Sequence, residues 1–369
     1  MNNRTFQIIR FIFAAWVWRV FQFCQKCLPI KPSAPDALLL IAQISPQMHF
    51  IYSKLKYGNK LLFEKKHLKL MEKFSQPNTA PVQKVLASLI ATQTGNTPLM
   101  EEQLHQVLVQ TNPQWKNQTS LDSPADFPDF LLLGVLKCGT TTLNEQFKKH
   151  PDLANPFSKE LFYWGESMCG YGLEWYRAAF LRKKPGASFH TYECTPNYFA
   201  NPIAIEQIST YMPQKKFIVM LRNPATRARS SYYFFKKHGW VKATSFDEMV
   251  TLETSFLQND LSMITSYHVQ HLHHGLYDYW IQKWLEKIAK EQFLFIKFEQ
   301  FISEPQKELK KISGFLGIKA FPSVPLLQSN PTQYPGSQEQ DLPALQKLEE
   351  FYKKHNAKLT ELIGSEFKW

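Results

Sequence analysis

The chain has 369 residues, 44% of them hydrophobic, enough for one large α/β domain with appendages or for two modest domains. Its 43 Lys and Arg against 31 Asp and Glu give a formal charge of +12. That balance suits anionic ligands such as nucleotides, acidic glycans or membrane surfaces, and equally a lysine-rich solvated surface. No basic run with interleaved aromatics marks a nucleic-acid stripe, so nucleic acid is not an expected partner. Five scattered cysteines (Cys24, Cys27, Cys138, Cys169 and Cys194) argue against a disulfide framework.

Residues 5–24, TFQIIRFIFAAWVWRVFQFC, are aromatic and apolar, but Arg10 and Arg19 leave only eight uncharged residues between them. A spanning helix wants roughly 20 apolar residues. Residues 1–30 are therefore predicted as an interfacial helix or a weak single-pass anchor on a membrane surface. The side of the membrane, cytoplasmic or luminal, is left open. The sequon Asn117-Gln118-Thr119 matters only in a secretory lumen. Residues 31–125 read as a helical extension or linker, with helices over Leu38–Ile44, Met48–Phe74, Val82–Ala91 and Met100–Gln110 separated by Pro- and Asn-rich stretches.

From residue 126 onward the pattern changes. Short apolar runs at Phe130–Val135, Phe189–Glu193, Lys216–Leu221 and Phe293–Phe298 alternate with helical stretches at Thr141–Lys149, Pro202–Tyr211, Thr226–Lys237 and Asp278–Lys290. Two further helices follow, Glu304–Leu316 and Leu342–Leu362. The alternation predicts an α/β domain over 126–369, a parallel sheet flanked by helices on both faces. In such a sheet ligands bind beyond the carboxyl ends of the strands. The groups that follow the runs should line that edge: the Gly134 loop, Glu193-Cys194-Thr195-Pro196, Arg222-Asn223-Pro224 and Glu299.

The loop GVLKCGTTT after the first run has the anatomy of a phosphate-binding turn, with glycines bounding it and a helix behind it. Gly134 and Gly139 have the spacing of the nucleotide triphosphatase pattern, in which lysine follows the second glycine. Here Thr140 follows, and the lysine sits inside the loop as Lys137. Arg222 leaves the third run directly and Ser230 lies one to two turns into the next helix. Together they can hold a second phosphate away from the first.

These elements resemble the sulfotransferase superfamily, which uses 3′-phosphoadenosine 5′-phosphosulfate, and most nearly its heparan and chondroitin carbohydrate enzymes and their bacterial relatives. The resemblance rests on GVLKCGTTTL, the K-E-x-x-[FYW] element Lys159–Tyr163, Glu193-x-Thr195-Pro196-x-Tyr198, LRNPATRARSSYY, His274-Gly275-Leu276-Tyr277 and FEQFISEPQKELKKISGFLGI. It implies a P-loop-like fold and an acceptor hydroxyl on a glycan or glycolipid. Lys137, Gly139, Thr140, Thr141 and Thr142 would hold the 5′-phosphosulfate, and Lys137 would also act in catalysis. Arg222 and Ser230 would grip the 3′-phosphate. Glu160 would be the base. Glu193, as runner-up base or as a partner that orients Lys137, would stand with His274 and Tyr277 on the acceptor side. No metal is demanded.

The chain departs from the heparan pattern at three places. Phe162 replaces a histidine found in several relatives. Cys194 stands where the 3-O enzymes carry a glycan-binding lysine. The 328–340 stretch, where relatives carry a basic loop over the nucleotide, has no Lys or Arg, leaving backbone groups or Tyr334 for such contacts. His268, His271, His273 and His274 form a cluster without a completing carboxylate or cysteine pattern. A P-loop kinase or NTPase is a competing reading, opposed by the position of Lys137 and by a third run that ends in Arg222-Asn223. A catalytically inactive nucleotide- or glycan-binding module is another.

Overall fold

Strand β1, Phe130–Gly134, is buried along its whole length, as expected of a central strand covered on both faces. It pairs in parallel with β3, His190–Cys194, on one side and with β4, Lys216–Leu221, on the other. The computed structural model describes residues 81–93, 95–166, 168–237, 241–259, 271–323 and 338–369. The expected helix of residues 1–30, the helices over Leu38–Ile44 and Met48–Phe74, His268 and most of the 328–340 loop, Tyr334 included, lie outside them.

The five strands order as β2-β3-β1-β4-β5, all parallel, with β2 at Leu153–Ala154 and β5 at Phe293–Lys297. The connection leaving β1 runs toward β2, whereas the one leaving β4 runs toward β5. The carboxyl ends of β1 and β4 therefore flank the point where the chain's winding reverses, which is where open α/β sheets open a crevice. The sequence placed four of the five strands. It missed β2, whose two residues are too short for any alternation to register.

Contacts divide the chain into two compact units. One holds the described residues up to Phe127 together with those within 167–187, and the other holds the described residues of 128–166 and 188–369. In the first, α1 (Pro81–Gln93) and α2 (Thr97–Thr111) pack on each other. The Asn96 side chain caps α2 by accepting from the Leu99 N–H at 3.3 Å. Arg182 ties this unit together, donating to the Leu121 carbonyl at 2.7 Å and pairing with Glu101. The Gly172–Ala178 helix, here α4, belongs to this unit.

In the second unit the sheet is followed through by α3 (Thr140–Lys148), α5 (Pro202–Tyr211), α6 (Pro224–Lys237), α7 (Phe246–Asn259), α8 (Tyr277–Leu285), α9 (Phe298–Ser303), α10 (Pro305–Leu316) and α11 (Leu342–Ile363). Phe130, Phe147 and Tyr192 pack as an aromatic cluster with ring centroids 5.2–5.5 Å apart, which seats α3 against β1 and β3. Among the described residues, no helix is long and apolar enough to cross a membrane.

Candidate active site

The turn after β1 is shaped by two glycines where any side chain would be strained. Gly134 has φ +147°, and a Cβ there would lie 2.6 Å from the Pro196 carbonyl oxygen. Gly139 has φ +86° and caps α3; its Cβ would meet the Phe298 ring at 2.7 Å. Gly139 brings no side chain to the helix N-terminus, and the first N–H groups of a helix have no acceptor within it. The start of α3, Thr140, Thr141 and Thr142, is thus a place where backbone donors and a helix dipole meet an anion.

Lys137 adopts a left-handed backbone, φ +69°, within this turn. Its Nζ rests 3.9 Å above the centre of the Phe234 ring from α6. Burial, then the Arg222 guanidinium and then the Lys159 ammonium bring the Lys137 pKa down to about 8, while Glu160 pulls it the other way. The predicted residues Lys137, Glu160 and Arg222 therefore share one electrostatic site, and Lys159 joins them.

Arg222 is set by every group around it. Its Nε donates to Thr226 Oγ1 at 3.2 Å and Nη1 to the Lys137 carbonyl at 3.4 Å. The guanidinium stacks 4.8 Å from the Phe298 ring. Asn223 starts α6 by accepting from the Thr226 N–H at 3.1 Å. Glu299, which follows β5, accepts from the Asn223 N–H at 2.9 Å and from Trp369 Nε1 at 3.2 Å. Glu299 thus reaches the edge as expected, as a brace for the Arg222 turn. Ser230 lies on α6 and is buried. Its neighbours anchor that helix: Arg229 pairs with Asp341 at 2.7 Å, and Ser231 meets His271 Nδ1 at 3.0 Å.

Glu160 follows the short β2 region in the turn Ser158–Tyr163. Its carboxylate accepts from Lys159 Nζ at 2.6 Å, and its side chain remains 31% exposed. An ion pair on one oxygen leaves the group open on its solvent side.

Three residues expected on the acceptor side turn out to be buried. Glu193 is 0% exposed, and its Oε1 accepts from Thr195 Oγ1 at 2.8 Å and Tyr198 OH at 2.7 Å. Tyr277 is also buried, donating to the Arg222 carbonyl at 2.9 Å and lying 3.6 Å from Cys138 Sγ. It ties the two anion-facing turns together instead of facing an acceptor. His274 packs against His273 at a ring distance of 4.2 Å, and burial, then its histidine neighbour, keep it neutral by lowering its pKa well below the usual value. Glu193 and Tyr277 spend their polar groups on internal structure, and His274 is buried with its Nδ1 lacking a hydrogen-bond partner; the sequence pattern does not distinguish such burial from a ligand contact.

The sequence reading also missed Arg227. It is completely buried, donating to the carbonyls of Leu136 in the β1 turn and of His271. Its only signal was position, five residues after Arg222 and in the first turns of the helix that Arg222 precedes. Cys194, at the end of β3, is a fully buried thiol whose pKa burial pushes up to about 12. Among the described residues, no group of His, Cys, Asp and Glu could hold a metal ion.

The sequence model of the sulfotransferase domain family matches residues 127–339, more than half of the chain. The human heparan sulfate glucosamine 3-O-sulfotransferase 6 is 28% identical over 265 residues, 66% of this chain and 74% of that protein. The human 3-O-sulfotransferase 3B1 is 28% identical over 263 residues, 66% of this chain and 65% of its own length. A bifunctional heparan sulfate N-deacetylase/N-sulfotransferase of Caenorhabditis elegans is 26% identical over 212 residues, 56% of this chain but 24% of that protein. Among solved structures, a sulfotransferase from Alicyclobacillus acidocaldarius shares the fold with a TM-score of 0.51 at 23% identity, covering 64% of this chain and 96% of that one. With a glycine-bounded anion turn after its central strand and a match across that whole sheet, the chain belongs to the sulfotransferase family and is a sulfotransferase.

Proposed function

We propose that this enzyme moves the sulfuryl group of 3′-phosphoadenosine 5′-phosphosulfate to a hydroxyl of a carbohydrate or glycolipid. The observation that carries this reading is the cation group at the switch point. Burial, then repulsion by Arg222 and by Lys159, draws the pKa of the Lys137 ammonium down to about 8. An anion at the Gly139 cap would relieve that repulsion, so the residues present fit a phosphosulfate donor.

The donor supplies an activated sulfuryl group bound to a phosphate that can leave. Lys137 and the N–H groups opening α3 would hold its 5′ end, with Arg222 and Ser230 on the 3′-phosphate. Lys137 places positive charge where negative charge grows during transfer, which favours the transition state over the ground state. Glu160, partly open to solvent and tied on one side to Lys159, accepts the proton of the acceptor hydroxyl. The heparan sulfate relatives support a glycan acceptor. The buried Cys194 at a position where those enzymes carry a cation leaves the acceptor's charge unconstrained. Residues 1–30 would bring the enzyme to a membrane surface.

Transfer of labelled sulfate to a panel of glycans, glycolipids and small alcohols tests the reading. Lys137→Ala and Glu160→Gln should each lower turnover by about a hundredfold or more. Calorimetry should show adenosine 3′,5′-bisphosphate bound in preference to ATP with Mg²⁺; the opposite preference would sink the donor assignment in favour of a nucleotide kinase.

A further inference from the structure

The buried carboxylate of Glu193 has no role in the mechanism just given, yet it organises the residues around the proposed base. Its Oε1 receives two hydroxyls, Thr195 Oγ1 at 2.8 Å and Tyr198 OH at 2.7 Å. A hydroxyl has one proton to give and lone pairs left to accept with. Both hydroxyls give theirs to Glu193, and both accept a backbone N–H from the turn that carries Glu160. Leu161 N–H donates to Thr195 Oγ1 at 3.1 Å, and Tyr163 N–H donates to Tyr198 OH at 2.8 Å. One carboxylate oxygen therefore fixes two alternate amides of the turn.

Between those two amides lies Phe162, with φ +52°. A left-handed backbone at a bulky residue persists only where its surroundings hold it. The two amide bonds on either side of Phe162 are such a hold. The Glu160 side chain has a separate tether, the 2.6 Å bond from Lys159 Nζ. The backbone just after Glu160 is thus pinned from the sheet, while its carboxylate is steered by the lysine before it.

We infer that Glu193, acting through Thr195 and Tyr198, is a positioning residue that sets the Glu160 turn for proton abstraction from the acceptor. The inference rests on Glu160 being the base, and it gives the Glu-x-Thr-Pro-x-Tyr element a function distinct from substrate contact. The spacing follows from the geometry: hydroxyls two and five residues after Glu193 fold back over it as β3 passes into the Tyr198–Ala200 turn.

The test uses the full chain and two independent arms of the relay. Hydrogen exchange at Leu161 should accelerate about tenfold or more in Thr195→Val, and exchange at Tyr163 should do so in Tyr198→Phe, with the other amide less affected. Turnover with labelled donor and a desulfated heparin oligosaccharide should fall about a hundredfold in each. Adenosine 3′,5′-bisphosphate affinity should stay unchanged, and Thr195→Ser should restore both exchange and turnover. In a Glu160→Gln background, Thr195→Val should bring no further loss. Unaltered protection of both amides overturns the inference whatever the acceptor, as does normal turnover in both variants. A parallel loss of bisphosphate binding also overturns it, since that marks a general collapse of the site. Full turnover in Glu160→Gln, by contrast, removes the base assignment, and the inference falls with it even where exchange shows that the tether exists.

Discussion

A lysine that serves an anion must be charged when the anion arrives, and Lys137 is poised close to losing that charge. Burial comes first, then Arg222 and Lys159, in lowering its pKa to about 8. The free enzyme therefore holds the ammonium below pH 8 and loses it as pH rises through that value. Because kcat/KM reports the free enzyme, it should show an alkaline limb near pH 8. A bound phosphosulfate adds negative charge beside the ammonium and raises its pKa, so the limb in kcat should lie at higher pH. Lys137→Arg keeps its charge across this range, and should lose the limb even as the rate falls. Initial rates from pH 6 to pH 10 for both proteins check this; a limb that persists unchanged in Lys137→Arg assigns it to another group. Lys137 itself was readable, because glycines punctuate its turn. Its acidity was not, because it depends on burial and then on Arg222 and Lys159, which only the fold brings near.

At the level of elements, the anion turn depends on where α3 begins. Gly139 has φ +86°, and Phe298 from α9 fills the space a side chain would need. Gly139→Ala combines a left-handed strain with an overpacked contact, and should cost about 1–3 kcal/mol of stability. It should also weaken bisphosphate binding by displacing the N–H groups of α3. Thermal melts and calorimetry measure both, and an alanine variant that binds normally would show that the cap geometry is dispensable. The strands were legible because apolar runs bounded by turns announce buried parallel strands. Helix α7 was missed although Ser245-x-x-Glu248 is a capping-box pattern. In the fold Ser245 Oγ accepts from the Glu248 N–H at 3.1 Å, and Glu248 in turn accepts from the Thr244 N–H at 2.7 Å. The expected Glu304–Leu316 helix matches α10; the preceding α9, Phe298–Ser303, went unpredicted because Pro305 fits the start of a helix and hides the short one before it. Lys137 and Arg222 lie close together because each follows a strand end in one parallel sheet. The burial of Glu193, Tyr277 and His274 was not legible, since a buried polar side chain and an acceptor-facing one carry the same letter.

At the scale of the molecule, the strand order β2-β3-β1-β4-β5 explains why two distant turns share one anion site. The chain winds one way from β1 and the other way from β4, and Lys137 and Arg222 stand at the two ends so created. The +12 charge of the chain acts over longer distances. Residues 1–30 contribute Arg4, Arg10, Arg19 and Lys26 without a single carboxylate, interleaved with Phe and Trp. Each basic residue near an anionic lipid surface gains about 1 kcal/mol, and aromatic side chains favour the headgroup region. The full chain should therefore co-sediment with phosphatidylserine-containing vesicles at 0.1 M salt, bind neutral phosphatidylcholine vesicles less, and weaken as salt shortens the Debye length from about 10 Å at 0.1 M toward about 3 Å at 1 M. Deleting residues 1–30 should abolish sedimentation while bisphosphate affinity stays unchanged, because every residue assigned to the anion site lies after β1. Equal binding to both vesicle types would remove the electrostatic part of this reading. Undiminished binding by the shortened chain would move the membrane contact elsewhere in the molecule.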